Sequence, residues 1–198
     1  SKLLLSGLLD TIYRNIYPIV IGKLFSASSL GHYTRAHQFS EFPSSNITGI
    51  IKRVTYPVLC SIQNDDERLS NIYRRFLKLS AFVIFPMMTG LSAVSKPLIF
   101  MTIGSQWEIC AILLPIICFS MMWYPIHSIN LNLLQVKGRS DLFLRLEIIK
   151  KLLGVLVICI TAPWGLVVMC YGSIVSSLIA LVINTYYTGK LIHIGFFK

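Results

Sequence analysis

Residues 152–189 run for 38 positions without one Asp, Glu, Lys or Arg. A second charge-free stretch fills 109–136 and a shorter one fills 79–95, and the basic residues crowd into the gaps between them. Water does not require such segregation; a bilayer does. A membrane-spanning helix needs about 20 mostly apolar residues, so the longest stretch has room for two spans and a turn. Ala162-Pro163-Trp164-Gly165 sits where that turn belongs, since Pro and Gly interrupt helices and Trp favours the membrane–water interface. The chain reads as an integral membrane protein.

Charged residues are 13% of the chain and apolar ones 55%, against about 25% charged in a typical soluble domain. The formal charge of +10 does not imply nucleic acid as a partner. The cations sit at segment ends, with no basic stripe and no RNA-binding signature; this is the charge bias of a polytopic membrane protein. The five cysteines (Cys60, Cys110, Cys118, Cys159 and Cys170) form no C-x-x-C pair, which supports neither a metal site nor a disulfide framework. Ser1 opens the chain and Leu3-Leu4-Leu5 follows almost at once, the look of a piece of a longer protein.

Six apolar segments give an all-α fold: one polytopic membrane helix bundle over residues 1–198. They cover about 3–24, 33–62 with a break at Pro43, 77–95, 108–135, 142–161 and 165–188. Pro57, Pro86, Pro115 and Pro125 are further kink candidates. One side of the loop pattern carries Lys2, Arg68, Arg74, Arg75, Lys78, Lys137, Arg139, Arg145, Lys190 and Lys198; the other carries Lys23 and Lys96. That imbalance predicts both termini in the cytoplasm. Gln63-Asn64-Asp65-Asp66 is turn-rich. It predicts a cytoplasmic loop entering an amphipathic surface helix around Tyr73-Arg74-Arg75-Phe76, anchored on membrane lipids.

The remaining cations, Arg14, Arg35, Lys52, Arg53, Lys150 and Lys151, fall inside the segments or at their edges. A Lys or Arg at a helix centre costs about 2.5–3.5 kcal/mol on insertion scales, so such residues face a bundle interior or an aqueous cavity. Lys150 and Lys151 either snorkel to the surface or join that cavity, and Arg35 either joins it or sits at the outer interface. Asp10 and Arg14 share a helix face at i,i+4, as do Glu147 and Lys151. His37, Glu41 and Ser45 recur every four residues. Asp10 and Glu41 are the acidic residues beside Arg14 and His37. His127 and Asn130, three apart near Tyr124, hydrogen-bond either across helices or to a sugar. Gly172, Ser176 and Ala180 form a small-residue stripe for helix packing. The histidines show no zincin spacing, and neither a Gly-rich phosphate loop nor a paired-carboxylate loop is present. Catalysis, a resident metal and a cofactor are therefore not expected.

Leu30-Gly31-His32-Tyr33-Thr34-Arg35-Ala36-His37-Gln38-Phe39 followed by Phe42-Pro43 resembles a segment of bacterial polysaccharide exporters. So do Val54-Thr55-Tyr56-Pro57-Val58-Leu59 with Ile62-Gln63-Asn64-Asp65, and Ile183-Asn184-Thr185-Tyr186-Tyr187-Thr188-Gly189-Lys190. The most specific match is Trp123-Tyr124-Pro125-Ile126-His127-Ser128-Ile129-Asn130-Leu131-Asn132 with Val136-Lys137-Gly138-Arg139-Ser140-Asp141. Over essentially its whole length the chain resembles Wzx-type polysaccharide flippases, of the multidrug/oligosaccharidyl-lipid/polysaccharide exporter superfamily. The resemblance implies the second of two six-helix bundles, with the N-terminal bundle as its missing partner. It also implies movement of undecaprenyl-pyrophosphate-linked oligosaccharide from the cytoplasmic to the periplasmic leaflet of the bacterial inner membrane, by alternating access. On that reading the cationic cavity attracts pyrophosphate or acidic sugars, and Asp10 or Glu41 takes up a coupling cation. The competing readings are a multidrug-type exporter and a membrane polymerase or ligase acting on the same lipid-linked sugar. The cationic cavity disfavours the first, and short outer loops nearly devoid of titratable groups disfavour the second.

Overall fold

The computed structural model describes residues 2–191, with the side chains of residues 2–6, 9, 10, 14 and 191 outside the description. Every element in it is helical: α1 (Lys2–Leu24), α2 (Ala27–Ser61), α3 (Asp66–Ala93), α4 (Ser95–Thr102), α5 (Glu108–Met121), α6 (Tyr124–Val136), α7 (Ser140–Thr161) and α8 (Leu166–Leu191), with single 3-10 turns at Ser105–Trp107 and Ala162–Trp164. Local chemistry sets the ends. The Ser26 hydroxyl accepts from the Ser29 N–H at 3.1 Å to start α2, and the Asp65 carboxylate accepts from the Arg68 N–H at 3.0 Å to start α3. Gly165, at φ 104°, closes the predicted Pro-Trp turn between α7 and α8 in a conformation that only glycine adopts without strain.

Three helical stretches are long and apolar enough to cross a membrane among the described residues: α3, residues 105–136 (α5 and α6 with their 3-10 lead-in) and α8. The six-span count and the cytoplasmic termini therefore stay proposals. Three boundaries differ from expectation. Pro43 does not break α2, which runs unbroken through Pro43 and Pro57. The expected surface helix around Tyr73 is instead the opening turns of α3, continuous with the apolar stretch that follows. The fourth segment splits at Met122-Trp123 into α5 and α6, with Pro125 in the first turn of α6.

α5 is the centre of the bundle. Cys110, Ala111, Leu113, Leu114, Ile116, Ile117 and Cys118 are all buried, packed with Ile21, Ile84, Met88, Ile99 and Met169 from the helices around it. A second cluster, Leu59, Leu69, Tyr73, Ile129, Leu133 and Val136, joins α2, α3 and α6 near the 62–66 loop. Lipid tails are as apolar as leucine, so close packing and polar links hold such helices together rather than apolar burial. Small residues permit the closest approaches. A Cβ at Gly154 of α7 would overlap the Tyr13 hydroxyl of α1, and one at Gly172 of α8 would lie 3.0 Å from Thr161 and Val157 of α7.

Candidate functional site: a polar face on an apolar bundle

The outward surfaces of most helices are those of a lipid-facing protein. Leu79, Phe82 and Val83 on α3, Leu152, Leu156 and Ile160 on α7, and Val175, Leu178 and Val182 on α8 are exposed. α2 is different. Its buried face carries Tyr33, Ala36, Ser40, Ser44, Thr48, Thr55 and Leu59. Its exposed residues include Arg35, Gln38, Ser45, Asn46, Lys52, Arg53 and Tyr56, with the apolar Phe42, Ile50 and Val54 among them. Both sides of this helix carry polar groups. The exposed Asn15 of α1 and Asp66, Glu67, Arg68, Asn71, Arg75 and Lys78 of α3 are polar too, the α3 residues lying in the half of that helix next to its opening loop. Hydrocarbon would leave the exposed polar groups of α2 unsolvated at several kcal/mol each, so they belong against water or a polar partner.

Arg35 Nη1 donates to Gln38 Oε1 at 3.1 Å, one turn along the same face. His37 Nδ1 lies 3.4 Å from Glu41 Oε2, and because α2 runs unbroken through Pro43, Ser45 follows one turn further on. Ser45 and Asn46 turn back on the Phe42 carbonyl at 3.4 and 2.6 Å. Lys52 and Arg53 are both exposed, and no carboxylate among the described residues pairs with Arg35, Lys52 or Arg53. Asp10 and Arg14 lie on α1, their side chains outside the described residues. Asn15, on the exposed side of α1, donates to the Thr11 carbonyl at 2.7 Å.

Lys150 and Lys151 sit elsewhere. Both end on Glu147, one helical turn back: Lys150 on Oε1, Lys151 on Oε2 at 3.0 Å, with all three side chains only 11–12% exposed. The spacing that suggested a Glu147–Lys151 pair is realised with a third member, Lys150, in a largely buried cluster.

His127 and Asn130 are engaged across helices. The Asn184 amide donates to His127 Nδ1 at 3.3 Å, and His127 Nε2 lies 3.4 Å from Ser177 Oγ, whose hydroxyl donates to the Ser120 carbonyl at 3.1 Å. These directions agree with a neutral imidazole carrying its proton on Nε2. Asn130 Oδ1 accepts from the Tyr73 hydroxyl at 2.5 Å, and its amide donates to the Ile126 carbonyl at 3.0 Å.

The sequence reading missed several interior partners. Asn132 reaches Thr55 at 3.4 Å, and Ser44 donates to the Met121 carbonyl at 2.9 Å. Tyr17 of α1 stacks on Tyr33 of α2 at 6.1 Å between ring centroids. One signal was available: Tyr13/Tyr17 and Tyr33/His37 are i,i+4 pairs, which places each pair on one helix face. Among the described residues no group of three or more His, Cys, Asp or Glu is arranged to hold a metal ion.

The structure is thus an all-α membrane bundle in which α2 exposes Arg35, Lys52 and Arg53. Comparison with known proteins places it. Residues 1–112 match the family model described as "Polysaccharide biosynthesis protein", and the chain belongs to that family. It is 27% identical over 186 residues to an "Uncharacterized membrane protein in cps region" of Klebsiella pneumoniae, covering 92% of this chain and 37% of that protein. It is 24% identical over 179 residues to the lipopolysaccharide biosynthesis protein WzxC of Escherichia coli K12, covering 90% and 36%. It is 28% identical over 89 residues to the succinoglycan biosynthesis transport protein ExoT of Rhizobium meliloti, covering 45% and 18%. The chain thus spans little more than a third of the first two relatives. No solved structure matches.

Proposed function

We propose that this chain is one bundle of a transporter that flips undecaprenyl-pyrophosphate-linked oligosaccharide across the bacterial inner membrane, for lipopolysaccharide or exopolysaccharide biosynthesis. All six long segments cross the bilayer in this reading, with the charge-rich loops in the cytoplasm. The carrying observation is the exposed face of α2, bearing Arg35, Lys52 and Arg53 without carboxylate partners among the described residues. Against the N-terminal bundle of the parent protein, that face lines an aqueous passage in which cations hold the pyrophosphate and the neutral polar groups receive the sugar. The prenyl tail stays in the bilayer. Arg14, from α1, joins the cationic set, and Asp10 and Glu41 are the candidates for a coupling cation. Lys150 and Lys151, tied to Glu147, belong to the cationic set as members of a salt-bridged cluster rather than as free ligands. Residues His127 and Asn130, committed between helices, bear on the sugar through the shape of the wall they hold.

Deletion of the parent gene tests this. Lipid-linked repeat units accumulate in the cytoplasmic leaflet if the protein flips them. Single units accumulating in the periplasmic leaflet would instead indicate a polymerase and overturn the reading. Complementation with Lys52→Ala/Arg53→Ala restores export poorly at normal protein level.

A further inference from the structure

Arg35 and Arg53 are eighteen residues apart on one unbroken helix. Eighteen residues are five full turns, so both side chains leave α2 in the same direction about 27 Å apart along its axis. That distance is close to the hydrocarbon thickness of a bilayer, about 30 Å. α2 has 35 residues and is about 52 Å long. Arg35 lies eight residues from Ala27 and Arg53 eight from Ser61, so the two arginines divide the helix symmetrically. Gln38, Phe42, Asn46 and Gly49 follow the line between them, Phe42 with 74% of its surface exposed. Glu41 lies off that line, beside His37.

The two ends are not equal. The Arg53 end has a second exposed cation, Lys52, and faces the cation-rich loops. At the other end Arg35 is the single Lys or Arg that α2 supplies, and its guanidinium already shares a hydrogen bond with Gln38. The geometry points to two separate anion stations on α2, resting on the flippase reading above. Lys52 and Arg53 take the pyrophosphate at the cytoplasmic mouth, and Arg35 holds it at the outer mouth. Between Arg35 and Lys52 the sequence of α2 holds no Lys or Arg, so this helix itself offers the pyrophosphate no intermediate cation. Transfer then depends on the change of access, and the single, shared charge at the outer station lets the anion leave.

The two stations separate in a two-sided assay. The parent protein is reconstituted in vesicles of one orientation, and entry of a fluorescent, sugar-free polyprenyl pyrophosphate is measured from each side. Lys52→Gln/Arg53→Gln raises the half-saturating concentration from the cytoplasmic side about tenfold or more, the scale of one lost charge-assisted hydrogen bond. From the outer side it changes less than twofold. Arg35→Gln does the reverse, and Arg35→Lys and Arg53→Lys recover most of each loss. Equal effects from both sides, or none, overturn the two-station assignment while leaving the flippase reading intact. A wild-type protein that carries the probe in neither direction overturns the flippase reading itself.

A second measurement keeps all three cations. Gly49→Cys, where a side chain meets open space, lies one turn from Arg53, and Gln38→Cys lies one turn from Arg35. Probe loaded from the cytoplasmic side shields residue 49 from an impermeant thiol reagent, and probe loaded from the outer side shields residue 38. Shielding of both from one side, or of neither, refutes the assignment.

Discussion

Glu147→Gln is the most revealing single substitution in the bundle. The carboxylate holds two ammonium groups, Lys150 and Lys151, with all three side chains 11–12% exposed. Glutamine keeps the shape but removes the charge, leaving two cations in a region that screens them poorly. Removing one partner of a buried ion pair costs about 3–5 kcal/mol. Here one carboxylate serves two cations, so the loss lies toward the upper part of that range unless a lysine escapes by snorkelling. Lys150→Met leaves a conventional Glu147–Lys151 pair and costs about 1 kcal/mol or less. The triple change Glu147→Gln/Lys150→Met/Lys151→Met removes all the charge and recovers most of the loss, because an apolar replacement of a buried ionic cluster is often neutral or better. Thermal unfolding of the parent protein in nanodiscs measures all three. A Glu147→Gln melting temperature within a degree of wild type, or a triple variant less stable than Glu147→Gln, would show that the carboxylate does not neutralise these lysines. If Lys150→Met lowers transport at unchanged melting temperature, the lysine belongs with the substrate instead.

Tyr73→Phe leaves Asn130 Oδ1 without its 2.5 Å donor and destabilises by about 1–3 kcal/mol, whereas Tyr73→Phe/Asn130→Leu is less destabilised than Tyr73→Phe plus Asn130→Leu taken separately; chemical denaturation in detergent checks the cycle. Gly154→Ala forces its new methyl against the Tyr13 hydroxyl and costs about 1–3 kcal/mol, a loss that shrinks in a Tyr13→Ala background; equal losses in both backgrounds would place the strain elsewhere. Lys137 bridges the Gln63 carbonyl at 2.7 Å and Asp66 Oδ1 at 2.5 Å, tying the α6–α7 turn to the α2–α3 loop. Because the bridge is near the surface, Lys137→Ala costs about 1 kcal/mol or less but speeds proteolytic nicking around residues 63–66, read on a gel.

The prolines show why part of this fold is legible in the sequence and part is not. The Ala162-Pro163-Trp164-Gly165 turn can be read directly, because its cause is local: a proline, an interfacial tryptophan and a positive-φ glycine between two charge-free stretches. Pro43 and Pro125 look equivalent in sequence, yet only the second lies beside a break. Each proline lacks an N–H and so frees the carbonyl four residues earlier. For Pro125 that carbonyl is Met121, and the Ser44 hydroxyl of α2 takes it at 2.9 Å, while Ser177 of α8 takes its neighbour Ser120 at 3.1 Å. Two helices remote in sequence thus supply the donors that hold the chain open at Met122-Trp123. At Pro43 the buried residues on either side, Ser40, Ser44 and Thr48, keep one face packed and the helix passes through. His127 and Asn130 follow the same logic. Their type and spacing marked them as polar groups inside a membrane segment, but Tyr73, Ser177 and Asn184 are 57, 50 and 57 residues away in sequence, and no local pattern selects them. The exposed cations of α2 were legible because cost alone singles out a charge inside an apolar span. Lys150 and Lys151 met the same criterion, but a counter-charge on their own helix answers that cost. A buried cation therefore becomes a candidate ligand only after its nearest carboxylates have been placed, which here leaves Arg35, Lys52 and Arg53 as the described cations on which the transport reading rests.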